Sequence, residues 1–140
     1  MPLVRAEVLS AEHAAIEDVA GQLMAIVVAR QAPPPELGAL RWRLQHLLAV
    51  HLAKEDKHLY PLLKRSPDTA TAALATRMER EMGGIADDFT DYCRRWDANA
   101  IVADWAGFCK ATRLLLTRLR HRIVCEERDL YPRIAAARAA

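Results

Sequence analysis

Apolar residues recur three and four positions apart over most of the chain, the spacing of one face of an α-helix. Ile16, Val19, Leu23, Ile26 and Val27 form one such stripe. A second runs through Leu37, Leu40, Leu44, Leu47, Leu48, Leu52 and Leu59, and His51 and Glu55 fall on it among the leucines. Prolines lie at 2, 33, 34, 35, 61, 67 and 132. Each removes a backbone donor and clashes with the preceding turn, so they mark helix ends or kinks. The pattern predicts four helices, at about 10–31, 36–63, 68–96 and 101–136, with Ser10 as the first N-cap and residues 2–8 as an arm against the bundle. Gly83-Gly84 weakens the third helix in its middle, and Pro132 kinks the fourth. Short joins between long helices make an all-α, up-down-up-down four-helix bundle, a single domain over 1–140.

Composition agrees with helices. Ala and Leu, both strong helix formers, fill about a third of the positions. No Asn-Gly or Asp-Gly hairpin signal occurs. Lys and Arg number 20 against 18 Asp and Glu, and this balance gives no concentrated basic face for nucleic acid. No apolar run approaches a membrane span, and the first residues lack the apolar core of a secretory signal. The expected location is therefore cytoplasmic. Cys93, Cys109 and Cys125 are then reduced thiols, an odd number that closes no disulfide framework.

The chain also repeats itself. Glu12-His13-Ala-Ala-Ile16-Glu-Asp18 resembles Glu81-Met82-Gly-Gly-Ile85-Ala-Asp87, and Glu55-x4-Tyr60-Pro61 resembles Glu126-x4-Tyr131-Pro132. Two helical hairpins of similar design pack as a pseudo-two-fold bundle.

Candidate chemistry lies in the polar residues of these stripes. His51 and Glu55 stand at i and i+4, so their side chains stack on one face. A buried carboxylate is costly unless it is paired or holds a metal. Inward His and Glu on facing helices are how four-helix bundles hold di-iron or di-manganese pairs. His13 lies beside the first stripe. His121 and Glu126, five apart, are separated by about 140° of helix and approach a central ion from two sides.

Glu12-His13, His51-x3-Glu55 with Tyr60-Pro61, and the second Glu126-x4-Tyr131-Pro132 together resemble the hemerythrin-like HHE family over essentially the whole chain. The resemblance implies a four-helix bundle around non-haem di-iron, with roles in oxygen binding, oxygen or redox sensing, or iron handling. His121-x4-Glu126 matches the His-x4-Asp of hemerythrin proper, with Glu for Asp. Three positions depart from the pattern, the first being Met78, which stands where hemerythrin proper has a further helix-three His. Met82 stands where a helix-three His aligns with His13, and Arg122 aligns with His51.

Two readings follow. In one, His13, His51, Glu55, His121 and Glu126 hold non-haem iron, as one ion or as two with water and Glu81 filling gaps. Dioxygen or another small ligand takes an open position. In the other, no metal binds, the Arg122 charge replaces the cation between Glu55 and Glu126, and Met78 and Met82 fill the space of missing imidazoles. The chain is then an interaction or regulatory module with a protein partner. Both readings point to binding; a third, a di-metal oxidase, needs more inward carboxylates than the sequence places, and none of the three fixes an oligomeric state.

The remaining residues have plainer expectations. His46 and His58 lie at the surface or rim. Tyr60 and Tyr131 cap the packing at one bundle end. Trp42, Trp96, Trp105, Phe89 and Phe108 fill the core. The three Cys pack as small apolar groups. The arginines from Arg113 to Arg133 form a solvated, self-paired face.

Overall fold

The computed structural model describes residues 4–139. Every regular element among them is helical. Helix α1 spans Ala6–Ala29 and α2 spans Leu37–Lys54, followed by a π-helical turn Glu55–Leu59 and α3, Tyr60–Lys64. Then come α4 (Thr69–Met82), α5 (Ile85–Arg95), α6 (Ala98–Ala103) and α7 (Trp105–Cys125). A second π-helical turn, Glu126–Leu130, leads into α8 (Pro132–Ala139).

Grouped as α1, α2–α3, α4–α5 and α6–α8, these segments run alternately up and down. Ser10 bonds Glu127 at one end of the α1–α7 pair, and the Trp105 indole donates to the Arg30 carbonyl at the other. Arg41 near the start of α2 reaches the Trp96 carbonyl just past α5, while Lys64 ending α3 pairs with Glu79 on α4.

Several ends differ from expectation. Helix α1 begins at Ala6, because Arg5 is the extended residue before it. Residues 6–8 are thus helix rather than arm, and residues 2 and 3 of the expected arm lie outside the described residues. Ser10 is no cap, since its hydroxyl donates to Glu127. The third segment is broken outright at Gly83-Gly84. A Cβ at Gly83 would run into the Glu79 carbonyl, so the turn closing α4 requires glycine there. The fourth is broken at Asp104, whose carboxylate caps the Gly107 N–H, and it begins earlier than expected, behind Asp97, which caps Ala100.

The two π-helical turns share one cause. Pro61 and Pro132 have no N–H, and in a regular helix each ring would press on the carbonyl four residues back. Widening the turn relieves this. The Tyr60 N–H bonds the Glu55 carbonyl, and the Tyr131 N–H bonds the Glu126 carbonyl at 2.8 Å. Residues five apart, which in an α-helix lie about 140° apart, then share a face. Glu55 and Tyr60 are both buried, as are Glu126 and Tyr131.

The apolar interior is divided. The larger part joins Ile16, Leu23, Leu44, Leu48, Phe89, Phe108, Leu116 and Ile123 among others. The smaller joins Leu9, Leu59, Leu63, Met78, Met82, Leu130 and Ile134 with the two tyrosines. Along the chain, polar residues fall between the two parts: His13 between Leu9 and Ile16, Glu55 between Leu52 and Leu59, Glu126 between Ile123 and Leu130. Phe89, Trp96 and Phe108 are core as expected, but Trp42 is 68% exposed and stacks on His46 outside the bundle.

A buried layer of histidine, carboxylate and arginine

Five ionisable side chains meet in that layer. His13, His51, Glu55, Arg122 and Glu126 are each 3% exposed or less. One ligand atom from each of His13, His51, Glu55 and Glu126 lies within 4.8 Å of all the others. Four of the six sequence candidates thus come together.

The other two do not. His121 is exposed and lies 3.7 Å from the Cys125 sulfur. Helix α7 is regular through Cys125, so the residue on the face of Glu126 is the one four back, Arg122. Position 121 is a further ~100° around. Glu81 is also exposed, because the inward face at the end of α4 is that of Met78 and Met82.

Each inward histidine is held from behind. His13 Nδ1 sits 2.6 Å from Glu127, and His51 Nδ1 sits 2.8 Å from Glu12. Lys54 holds the other oxygen of Glu12. A carboxylate on Nδ1 selects the tautomer whose Nε2 carries a lone pair, the orientation typical of metal-bound histidine. His13 Nε2 faces a Glu126 oxygen at 3.2 Å, and His51 Nε2 faces a Glu55 oxygen at 3.2 Å. The His51 Nε2 is buried without a well-aligned hydrogen bond. Lone pair against carboxylate is repulsive unless a cation or a proton stands between.

The carboxylates are braced across the pseudo-two-fold. Tyr60 donates to Glu126 at 2.9 Å, and Tyr131 donates to Glu55 at 2.6 Å. The tyrosines are therefore more than packing caps. Arg122 spans the pair, its Nε on Glu126 at 3.0 Å and its Nη2 on Glu55 at 3.1 Å. Nη2 also meets Asp56 at 2.9 Å, and Nη1 donates to the Met82 carbonyl at 3.2 Å. That carbonyl ends α4, where helical partners run out.

Charge follows from this arrangement. Burial raises the Glu55 pKa, but His51 and Arg122 outweigh it and hold the group at about 2. Glu126 is pushed up by burial and by the Glu55 charge. Burial lowers the affinity of both histidines for protons, yet Glu126 and Glu127 raise His13 overall, and Glu55 and Glu12 raise His51. Burial also opposes the Arg122 charge, but Glu126 and Glu55 push its pKa higher.

The donors suit a cation. Two imidazole nitrogens and two carboxylates form the nitrogen–oxygen set preferred by iron, manganese and zinc. Glu12, Asp56 and Glu127, which complete the layer, were not singled out from sequence for these roles. Glu12 and Glu127 flank His13 and Glu126, and that adjacency was the available signal.

These features define a four-helix bundle carrying a buried histidine–carboxylate cluster that can hold a metal ion. The hemerythrin HHE cation-binding domain model matches residues 4–134, and the chain belongs to that family. Neither a curated protein nor a solved structure matches it significantly.

Proposed function

We propose that the chain is a hemerythrin-like non-haem metal-binding protein whose ion is iron, held by His13, His51, Glu55 and Glu126. One observation carries this reading: both outer nitrogens are already held by Glu127 and Glu12, while both inward nitrogens lie against carboxylate oxygens, that of His13 also 3.0 Å from the Tyr131 hydroxyl and that of His51 with no well-aligned hydrogen bond. A bound ion would supply open coordination positions for a small ligand such as dioxygen. The residues supply the rest. Glu12 and Glu127 orient the imidazoles, and Tyr60 and Tyr131 fix the carboxylate oxygens. An open surface cleft of about 500 Å³, lined by Ser10, His13, Glu17, Ile123 and Glu127 among others, reaches the outer side of His13. The dioxygen role, as carrier or sensor, belongs to this proposal.

Elemental analysis of purified protein, followed by anaerobic addition of Fe(II) to chelator-treated protein, tests it. Tight uptake is expected, and His51→Ala should abolish it while circular dichroism stays helical. Protein that takes up no ion, with an unchanged melting temperature, refutes the reading.

A second reading has its own observation. Arg122 already bonds both carboxylates, so the layer can close around protonated histidines with no metal. The chain is then a scaffold for protein partners. The Fe(II) titration separates the two.

A further inference from the structure

The two halves of the layer correspond position by position. Glu55 and Glu126 each open a π-helical turn, each precedes a Tyr-Pro pair by five residues, and each receives the tyrosine of the opposite half. Four residues before Glu55 stands His51, and four before Glu126 stands Arg122. The counterpart of His13 is Met82. One half therefore presents two inward imidazole nitrogens. The other presents a guanidinium and a backbone carbonyl.

Arg122 is placed as a cation between two carboxylates would be. It lies 3.0 Å from Glu126 and 3.1 Å from Glu55, with Asp56 and the Met82 carbonyl taking its remaining directions. It is 1% exposed and covalently tethered, so it does not exchange. Two buried carboxylates carry two negative charges, and Arg122 already neutralises one. A single divalent ion has two imidazole nitrogens and two carboxylates to hold it. A second would sit beside the buried Arg122 guanidinium, like charge against like charge in a low-dielectric interior, with no imidazole to bind it. Thioether sulfur at Met82 does not make up the loss, being a soft ligand.

We infer that Arg122 takes the place of a second ion and limits this site to one metal ion per chain. The inference rests on the metal-binding reading above and assigns Arg122 as the residue that sets the stoichiometry.

The test is a metal count. Chelator-stripped protein is loaded anaerobically with Fe(II), desalted, and measured by elemental analysis. Parallel samples loaded with Mn(II) are examined by electron paramagnetic resonance, which separates an isolated ion from a coupled pair. Wild type should hold one ion and give the isolated Mn(II) spectrum. Arg122→Lys, which keeps the charge, should still hold no more than one. Arg122→His/Met82→His should hold two and give a coupled spectrum, provided circular dichroism shows it folded. Wild type with two ions overturns the inference and leaves the metal-binding reading standing. Wild type with none overturns both. A folded double variant that stays at one ion overturns the role given to Arg122. Should that variant not fold, the wild-type count and the Arg122→His single variant, expected to exceed one ion, still decide the matter.

Discussion

Replacing Arg122 with Met in metal-free protein keeps most of the aliphatic stem and removes the charge. The wild-type guanidinium is 1% exposed and donates to Glu126, Glu55, Asp56 and the Met82 carbonyl. Glu55 and Glu126 are themselves 0% and 1% exposed, so neither can turn to water. Removing one partner of a buried ion pair costs about 3–5 kcal/mol, because the other charge is left uncompensated. For 140 residues, an unfolding entropy of about 2 cal/mol/K per residue converts that loss into a fall of roughly 11–18 °C in melting temperature. Urea unfolding followed by circular dichroism, with chelator present, measures the free energy directly. Because the cost comes from stranded carboxylates, adding Glu126→Gln to Arg122→Met should recover part of it, a non-additivity expected of residues in contact. A loss under about 1 kcal/mol, or a double variant no better than the single, would refute the placement of Arg122 as the counter-charge of this layer.

Other perturbations probe the surroundings of the layer. Glu12→Gln and Glu127→Gln should each weaken metal binding about 10- to 100-fold with the helical spectrum unchanged, since they act through the second ring nitrogen of His51 and His13; isothermal titration calorimetry checks this, and unaltered affinity counts against their orienting role. Tyr131→Phe removes a buried donor to Glu55 at 2.6 Å and should cost about 1.5–3 kcal/mol in urea unfolding, the range for hydrogen bonds to charged groups. His121→Ala should leave metal content unchanged and stability within about 0.5 kcal/mol, as for other exposed positions.

The helices are legible in the sequence because their apolar periodicity is long and most of their breaks carry Pro or Gly, whereas the breaks at Asp97 and Asp104 carry only a capping aspartate. The division of the third segment is partly legible, since Gly83-Gly84 signals weakness, but the steric need for glycine at 83 depends on where the Glu79 carbonyl falls. The π-helical turns leave a trace only in the repeated Glu-x4-Tyr-Pro. Helical arithmetic puts those tyrosines off the glutamate face, and the widened turn restores them to it. His121 shows the opposite error. Family-like spacing favours it as a ligand, but the regular helix through Cys125 gives the inward place to Arg122. The cross-bracing of each glutamate by the other half's tyrosine is invisible in sequence, because it is a contact between segments about 70 positions apart that no local period encodes.

The polar layer also poses an energetic question with a measurable answer. It separates two apolar clusters that would otherwise be continuous. Buried charge networks are commonly no more stabilising than apolar side chains of similar volume, and replacing them is often neutral or gains about 1–4 kcal/mol. A bundle with nothing to hold would therefore lose little by an apolar layer. The combined variant His13→Leu, His51→Leu, Glu55→Leu, Arg122→Met, Glu126→Leu, Tyr60→Phe and Tyr131→Phe removes the five buried ionisable groups and both tyrosine hydroxyls together, leaving the partly exposed Glu12, Asp56 and Glu127 to turn to water. It should take up no metal, yet melt at or above the temperature of the metal-free wild type. Wild type should draw level or move ahead only when metal is added, because an ion that binds the folded state alone stabilises it by mass action. If the apolar variant instead melts far below the metal-free protein while remaining helical, the layer itself holds the bundle together. In that case stability would suffice to explain why these residues are buried, without any ligand.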